Sequence, residues 1–399
     1  MCAMYYLHCI QCDNKYNANE VRYTCDCGGL LEVKFERLSI DINELRKRRI
    51  GVWRYREFLP VDVEESIVSL QEGGTPLHYC FSFSDSLKSD VYVKNEGRNP
   101  TGSFKDRGMT IGVTKAKELG FKRVICASTG NTSSSLAAYA TKAQLTAYVV
   151  VPSHAIALGK MAQALIYGAV VIAIEGNFDE ALKIVRELSR NKGIYLLNSI
   201  NPFRLEGQKT IAFEIIDELG HVPDKIVVPI GNAGNISAIW KGMKEYKELG
   251  IIDKLPHMIG VQAAGANPIA MMLNEGFEEL HPISNPETVA SAIKIGNPVN
   301  WTKAVTAIRE SEGFVLDVTD NEILSAQSQI ANKEGIFIEP ASAASIAGLF
   351  KIGTEKIGDE IVCITTGTGL KDPDIVIETH KNKIQRVRTR REISNILDQ

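Results

Sequence analysis

From Val91 onward, short apolar runs alternate with longer stretches in which apolar residues recur every three or four positions. The runs read as strands and the periodic stretches as helices. Val91 to Lys94 predicts a strand and Ser103 to Leu119 a helix; Arg123 to Ala127 and Asn131 to Ala143 repeat the pair. Further strands are predicted at Ala147 to Val151, Val170 to Ile174, Ile194 to Leu197, Ile226 to Pro229 and Met258 to Gln262. Three more follow at Phe314 to Val318, Ile336 to Ile338 and Ile361 to Ile364. Helices fill the intervals at Leu158 to Tyr167, Phe178 to Arg190, Arg204 to Leu219, Ile236 to Leu249, Asn321 to Lys333 and Ala341 to Phe350. Strands that are apolar throughout are buried on both faces, as in parallel sheets flanked by helices. The pattern therefore predicts an α/β fold with two doubly wound, mostly parallel sheets and a cleft between them.

The first 36 residues break this rhythm. Cys9-x-x-Cys12 and Cys25-x-Cys27-Gly28-Gly29 bracket a polar segment, and Leu30 to Phe35 alternates like a strand. Two close pairs, Cys9, Cys12, Cys25 and Cys27, supply four thiolates to one tetrahedral zinc, or keep a ribbon fold without the metal. A zinc held by four thiolates has no open position and is structural. Asp41 to Arg49 reads as a short charged helix with a solvated face.

Bulk properties narrow the class. The chain has 399 residues, 44% hydrophobic and 23% charged, an ordinary globular balance. A formal charge of -3 provides no broad basic field, so no nucleic-acid partner is expected. Lys381 to Arg391 is basic and reads as a solvated terminal element. Met1 to Leu7 lacks the pattern of a secretory signal. The richest apolar run, Leu145 to Leu158, is interrupted by Pro152 and His154, so no membrane partner is expected either. Eight cysteines without an export signal fit a reduced, cytoplasmic protein.

Lys105 is the focal residue. It lies where the turn Pro100-Thr101-Gly102 runs into a helix, with Ser103 as the expected N-cap and Asp106 in the first turn. The helix N-terminus and Arg107 are expected to lower the pKa of its amine. A lysine activated in this way forms a Schiff base with an aldehyde cofactor. Four loops at strand ends add to it. Ser128-Thr129-Gly130-Asn131-Thr132-Ser133 opens a helix, either as an anion seat or as a well-made cap. Gly231-Asn232-Ala233-Gly234-Asn235 reads as a phosphate nest, without the ending of a P-loop or a dinucleotide fingerprint. Thr365-Thr366-Gly367-Thr368-Gly369 offers a neutral hydroxyl to a cofactor ring. Asn198-Ser199-Ile200-Asn201-Pro202-Phe203-Arg204 offers an amide, a hydroxyl and a guanidinium; Arg204 suits either a phosphate or a surface salt bridge. An amine, a phosphate nest, a ring partner and anion sites together meet the needs of pyridoxal phosphate chemistry.

Asn99 to Gly108, Ser128 to Ser133, Gly231 to Asn235 and Thr366 to Pro373 resemble the motifs of the threonine synthase family. That family belongs to the tryptophan-synthase-β-like class of pyridoxal phosphate enzymes, fold type II. Ser291-Ala292-Ile293-Lys294-Ile295-Gly296-Asn297-Pro298 resembles a further stretch of it. The resemblance spans nearly the whole chain, including a cysteine-rich start seen in some members. It implies that Lys105 is the catalytic lysine and holds the cofactor. It also implies that Asn131 bonds the ring hydroxyl and Thr366 faces the ring nitrogen, with Gly231, Asn232, Ala233, Gly234 and Asn235 around the cofactor phosphate. Ser128, Thr129 and Thr132 would hold the substrate carboxylate, and Asn198, Ser199 and Arg204 the substrate phosphate. Thr368 stands where many members carry histidine.

The implied organisation is a zinc-ribbon-like segment at 1–36, a large pyridoxal-phosphate-binding domain from 37–100 and 205–399, and a small α/β domain at 101–204. The implied reaction converts O-phospho-L-homoserine and water to L-threonine and phosphate, in a homodimer. Cysteate synthase, acting on phosphoserine and sulfite, and a threonine dehydratase-like enzyme are alternatives within the class. A non-catalytic regulator that binds a phosphorylated amino acid is a remoter one.

Overall fold

The architecture comes from a computed structural model that describes residues 4–38, 40–153, 158–176, 178–353 and 360–381, with a few positions beyond. The described residues form three sheets. The strands in chain order are β1 (Tyr5–Cys9), β2 (Lys15–Asn17), β3 (Leu31–Phe35), β4 (Leu77–Tyr79), β5 (Asp90–Asn95), β6 (Arg123–Ala127) and β7 (Thr146–Pro152). They continue as β8 (Val170–Ile174), β9 (Tyr195–Leu196), β10 (Lys225–Pro229), β11 (His257–Ala263), β12 (Phe314–Val318) and β13 (Glu360–Thr365).

The large sheet has the order β12-β11-β10-β13-β5-β4 and is parallel except for the edge strand β4. The second has the order β8-β7-β6-β9 and is parallel throughout. The strand sequences explain this. Ile226, Val227 and Val228 of β10 and Ile361 to Ile364 of β13 are all fully buried, which requires cover on both faces. In the large sheet the chain moves outward from β10 through β11 to β12, then returns to place β13 between β10 and β5. In the small sheet it moves from β6 through β7 to β8 and returns to β9 on the other side of β6. Each reversal leaves a crevice at the carboxyl ends of adjacent strands, where α/β folds take ligands. The loops there carry Gly231 and Thr366 in one sheet and Ser128 in the other.

The helices follow their sequence signals with local exceptions. Helix Asp320–Glu334 begins in a capping box between Thr319 and Glu322 and stops at Gly335, whose φ of 70° suits glycine. The short charged helix is Ile42–Arg46, capped by Asp41. The stretch expected as one helix from Arg204 to Leu219 is two, Phe203–Gln208 and Thr210–Leu219, separated by a turn at Lys209. Lys209 is buried there between the carboxylates of Glu206 and Glu245. Ile336 to Ile338 is not a strand; Ile338 makes only an isolated bridge to Thr368. Only five residues, 335–339, separate helix Asp320–Glu334 from helix Pro340–Ile352, and the turn they make limits the pairing to that one bridge. Most of Lys381 to Arg391 lies outside the described residues.

The core beside β10 is aromatic. Phe213 stacks on Tyr246 with ring centroids 4.3 Å apart and meets Phe58 at 4.6 Å. This seats helices Thr210–Leu219 and Gly234–Glu248 against the large sheet. The third sheet, β2-β1-β3, is antiparallel and carries the four N-terminal cysteines. No helix among the described residues is long and apolar enough to cross a membrane.

Candidate active site

Helix Lys105–Glu118 is the backbone of the site. The turn before it places Gly102 at φ 88°, a conformation that favours glycine. Ser103 does not cap the helix as its identity predicts: its backbone bridges Gly367, and its hydroxyl has no partner among the described residues. Asp106 closes the turn instead. Its buried carboxylate accepts from Thr101 N at 2.7 Å, Thr101 Oγ1 at 2.6 Å and Ser135 Oγ at 2.6 Å. Burial pushes that carboxyl up to about 6, against the pull of those hydrogen bonds.

The Lys105 amine lies over the Phe104 ring, 4.2 Å from its centroid, with no hydrogen-bond partner among the described residues. Its pKa is lowered to about 7, first by burial and then by the charge of Arg204, with Glu339 opposing. The direction agrees with the sequence expectation, but the cause does not. Arg107 turns away and is neutralised. Its guanidinium donates to Glu96 at 2.6 and 2.8 Å and to Glu214 at two distances of 2.7 Å.

Helix Phe203–Gln208 brings Arg204 to the same place. Arg204 is only 2% exposed, which excludes a surface salt bridge, and its Nε and Nη2 have no partner among the described residues. Buried guanidinium hydrogens without acceptors are costly, and an anion would satisfy them. Ser199 faces the same cavity.

The loop after β10 forms the opposite wall. Gly231 passes so close to the Ala292–Ile293 backbone that a Cβ would lie 3.1 Å from both Ala292 O and Ile293 Cα. Ala233 adopts a left-handed φ of 63°, a strained choice for a residue with a Cβ. Helix Gly234–Glu248 then points its N-terminus into the cavity, where its first N–H groups have no intrahelical acceptors. Both amide atoms of Asn235, at 5% exposure, also lack partners among the described residues. These orphaned donors and the helix end fit a phosphate group. Asn300 pins the loop from behind: its N–H donates to Asn232 O at 3.2 Å and its amide to Ser199 O at 3.1 Å.

The loop after β13 closes the site. Thr366 O accepts from Phe104 N at 3.0 Å, tying it to the residue before Lys105. The Thr366 hydroxyl is 3.0 Å from Ser342 Oγ. Lys105, Asn131, Ser199, Arg204, Gly231 to Asn235 and Thr366 thus line one cavity. Ser128 and Thr129 on the adjoining loop and Thr132 in the first turn of helix Asn131–Lys142 are half-buried and do not line it. Asn198 is a strut: its Oδ1 accepts from Ala127 N and its Nδ2 donates to Ala127 O, each at 3.0 Å. Both ends of that amide are spent on holding the end of β6.

Glu339 is the residue that sequence reasoning missed. It is 4% exposed, lines the cavity, and takes the Asn131 amide on both oxygens at 2.9 and 3.0 Å. Burial raises its pKa, against the Asn131 hydrogen bonds. Its one sequence signal is an acid standing directly before Pro340 at a helix start, which reads as ordinary helix punctuation.

Comparison with known proteins agrees with this geometry. The family model described as "Pyridoxal-phosphate dependent enzyme" matches residues 68–367. The threonine synthase of Methanocaldococcus jannaschii is 58% identical over 386 residues, covering 94% of this chain and 95% of its own. That of Methanosarcina acetivorans is 55% identical over 383 residues, covering 94% of each. Among solved structures, threonine deaminase isoform 2 from Solanum lycopersicum superposes with a TM-score of 0.67 at 23% identity, over 88% of this chain and 96% of that one. Maize serine racemase gives 0.65 at 21% identity, over 77% and 92%. These two establish the shared fold. A lysine amine beside an orphaned phosphate cradle suits such a cofactor, and the chain belongs to the pyridoxal-phosphate-dependent enzymes and, within them, to the threonine synthase family.

Proposed function

We infer that this chain converts O-phospho-L-homoserine and water to L-threonine and phosphate. The observation that carries this reading is the buried Arg204 guanidinium in the cavity that Lys105 faces, with Nε and Nη2 unpartnered among the described residues. Such a group calls for a permanent anion on the substrate besides the cofactor's own phosphate.

Pyridoxal phosphate, when bound, supplies an aldehyde for the substrate amine and a ring that stabilises negative charge on carbon. Lys105 would hold that aldehyde. Gly231 to Asn235 would hold the cofactor phosphate, and Asn131, steadied by Glu339, would meet the ring hydroxyl. Thr366 would offer the ring nitrogen a hydroxyl, which cannot enforce protonation there as a carboxylate would.

Lys105, freed by the arriving substrate amine, would take the Cα proton; a pKa lowered to about 7 leaves far more of the amine neutral near physiological pH than in an ordinary lysine. Arg204 and Ser199 grip the substrate phosphate, which serves as handle and then as leaving group. Loss of a Cβ proton expels the phosphate from Cγ, a proton is delivered to Cγ to make the methyl group, water adds its hydroxyl at Cβ and releases a proton, and Lys105 returns a proton to Cα. The substrate carboxylate is placed at the Ser128, Thr129 and Thr132 loop, braced by Asn198. The working form is proposed as a cytoplasmic homodimer, which light scattering of the purified protein tests.

Phosphate release from a panel of phosphorylated amino acids tests the reaction. O-phosphohomoserine should be turned over with threonine as product. Turnover of O-phosphoserine with sulfite instead would make the chain a cysteate synthase, and dehydration of threonine alone would make it a dehydratase.

A further inference from the structure

We propose that Cys9, Cys12, Cys25 and Cys27 bind one structural zinc ion, and that the ribbon so closed holds in place the helix carrying Arg204. The four Sγ atoms lie within 4.8 Å of one another. Cys9 and Cys27 approach at 3.6 Å and Cys12 and Cys25 at 3.4 Å. Zn–S bonds of about 2.3 Å in a tetrahedron separate the sulfurs by about 3.8 Å, close to both distances. Disulfides would need about 2.05 Å, and all four cysteines are free.

Two backbone N–H groups are aimed at the sulfurs. Gln11 N donates to Cys9 Sγ and Gly29 N to Cys27 Sγ, each at 3.4 Å, and such bonds stabilise negative charge on sulfur. Gly29 has no side chain to spare: a Cβ there would lie 2.8 Å from Cys9 Sγ. The remaining described cysteines, Cys80, Cys126 and Cys363, are buried in the apolar cores of the larger sheets and form no such group. On binding, the thiols release their protons and the metal takes four sulfur ligands, leaving no place for substrate.

The ribbon is bolted to the active site through β3. Lys303 Nζ donates to Leu31 O at 2.7 Å and Lys241 Nζ to Val33 O at 2.6 Å. Lys241 also donates to Glu206 at 2.5 Å, two residues after Arg204 on the same short helix. Phe203, the neighbour of Arg204, packs into the ribbon core with Leu7, Cys9, Leu31 and Val33. A helix of six residues has little stability of its own, so its position depends on what it packs against.

Elemental analysis of the full-length protein, purified under reduction without chelator, should find one zinc per chain. Cobalt exchanged into the same protein should give visible d–d bands at wavelengths longer than those of the cofactor. The double variant Cys12→Ser, Cys25→Ser should lose the metal. Wild-type protein that binds neither metal while its four thiols remain titratable overturns the site, as does a double variant that keeps full stoichiometry. Should the variant fail to fold, the wild-type cobalt spectrum decides alone. Metal removal should then raise KM for the phosphorylated substrate about tenfold with a smaller change in kcat, because a displaced positioning group costs binding and alignment. This second arm rests on Arg204 holding the substrate phosphate. The inhibition constant for inorganic phosphate should rise in parallel; unchanged KM and inhibition constant in metal-free protein overturn the coupling but not the metal site.

Discussion

The backbone of Gly207 lies so close to Arg107 that a Cβ on the glycine would fall 1.7 Å from the Arg107 carbonyl oxygen. The contact brings together helices Lys105–Glu118 and Phe203–Gln208 and hence the two cationic side chains of the site. Gly108 repeats it from the other side: its Cβ would lie 2.8 Å from Arg204 O. Gly207→Ala must therefore push the helices apart. The expected result is a loss of about 3 kcal/mol in stability, at the upper end for overpacking, with weaker binding of the phosphorylated substrate. Denaturant unfolding and KM measured together check this.

Lys105→Ala should abolish the visible band of the bound cofactor and lower kcat by at least about 10³-fold, since one residue serves as anchor and base. Borohydride reduction of the wild-type enzyme followed by mass spectrometry should find the pyridoxyl adduct on the peptide containing Lys105. An adduct elsewhere would refute the assignment.

The low pKa of Lys105 also has a signature in the cofactor-free protein. Burial holds the folded value near 7, below the usual lysine range near 10.4. Between those values the unfolded chain carries the extra proton, so this group makes stability rise with pH across that window. Lys105→Met should thus stabilise the cofactor-free protein below pH 7, and the gain should fade as pH approaches 10. Thermal melts of both proteins across pH would reveal a constant difference if the amine were not perturbed.

Arg204→Lys keeps the charge but loses the planar, two-pronged grip on phosphate. Its kcat/KM for the phosphorylated substrate should fall about 10- to 100-fold, as for one charged hydrogen bond. The cofactor band should be unchanged, because the cofactor phosphate is assigned to the loop after β10. Loss of the band would place Arg204 on the wrong anion.

Arg107→Leu leaves Glu96 and Glu214 buried without their cation. Burial alone pushes Glu214 up, yet Arg107 and Lys94 outweigh it and hold it at about 2. Breaking a buried pair of this kind costs about 3–5 kcal/mol. Unfolding measurements at neutral pH should show that loss. Because Glu214 is charged to very low pH, the wild-type network should survive moderate acid.

Much of this was legible in the chain. Strands such as Ile226 to Pro229 are apolar runs of the right length between turn signals, and the Gly231 and Thr366 loops announce themselves by small residues where linkers would not need them. Lys105 stood out through its turn. What escaped depends on contacts distant in sequence. Glu339 acts on Asn131, 208 residues away. Arg107 sits two residues from Lys105 but is claimed by Glu214, 107 residues on. Asn198 looked like a ligand because its loop is polar, and only the fold shows its amide closed on Ala127. Helices Pro268–Glu275 and Trp301–Glu310 went unread because they are short and separated by Gly- and Pro-rich chain, where periodicity has too few turns to register.

The small N-terminal sheet touches both of its larger neighbours. Tyr23 OH accepts from Leu196 N of β9 at 2.8 Å, while Lys303, on helix Trp301–Glu310, donates to Leu31 O of β3 at 2.7 Å. The cysteine-rich segment is thus tied to both parallel-sheet units, so anything that unfolds it removes a tether from each at once.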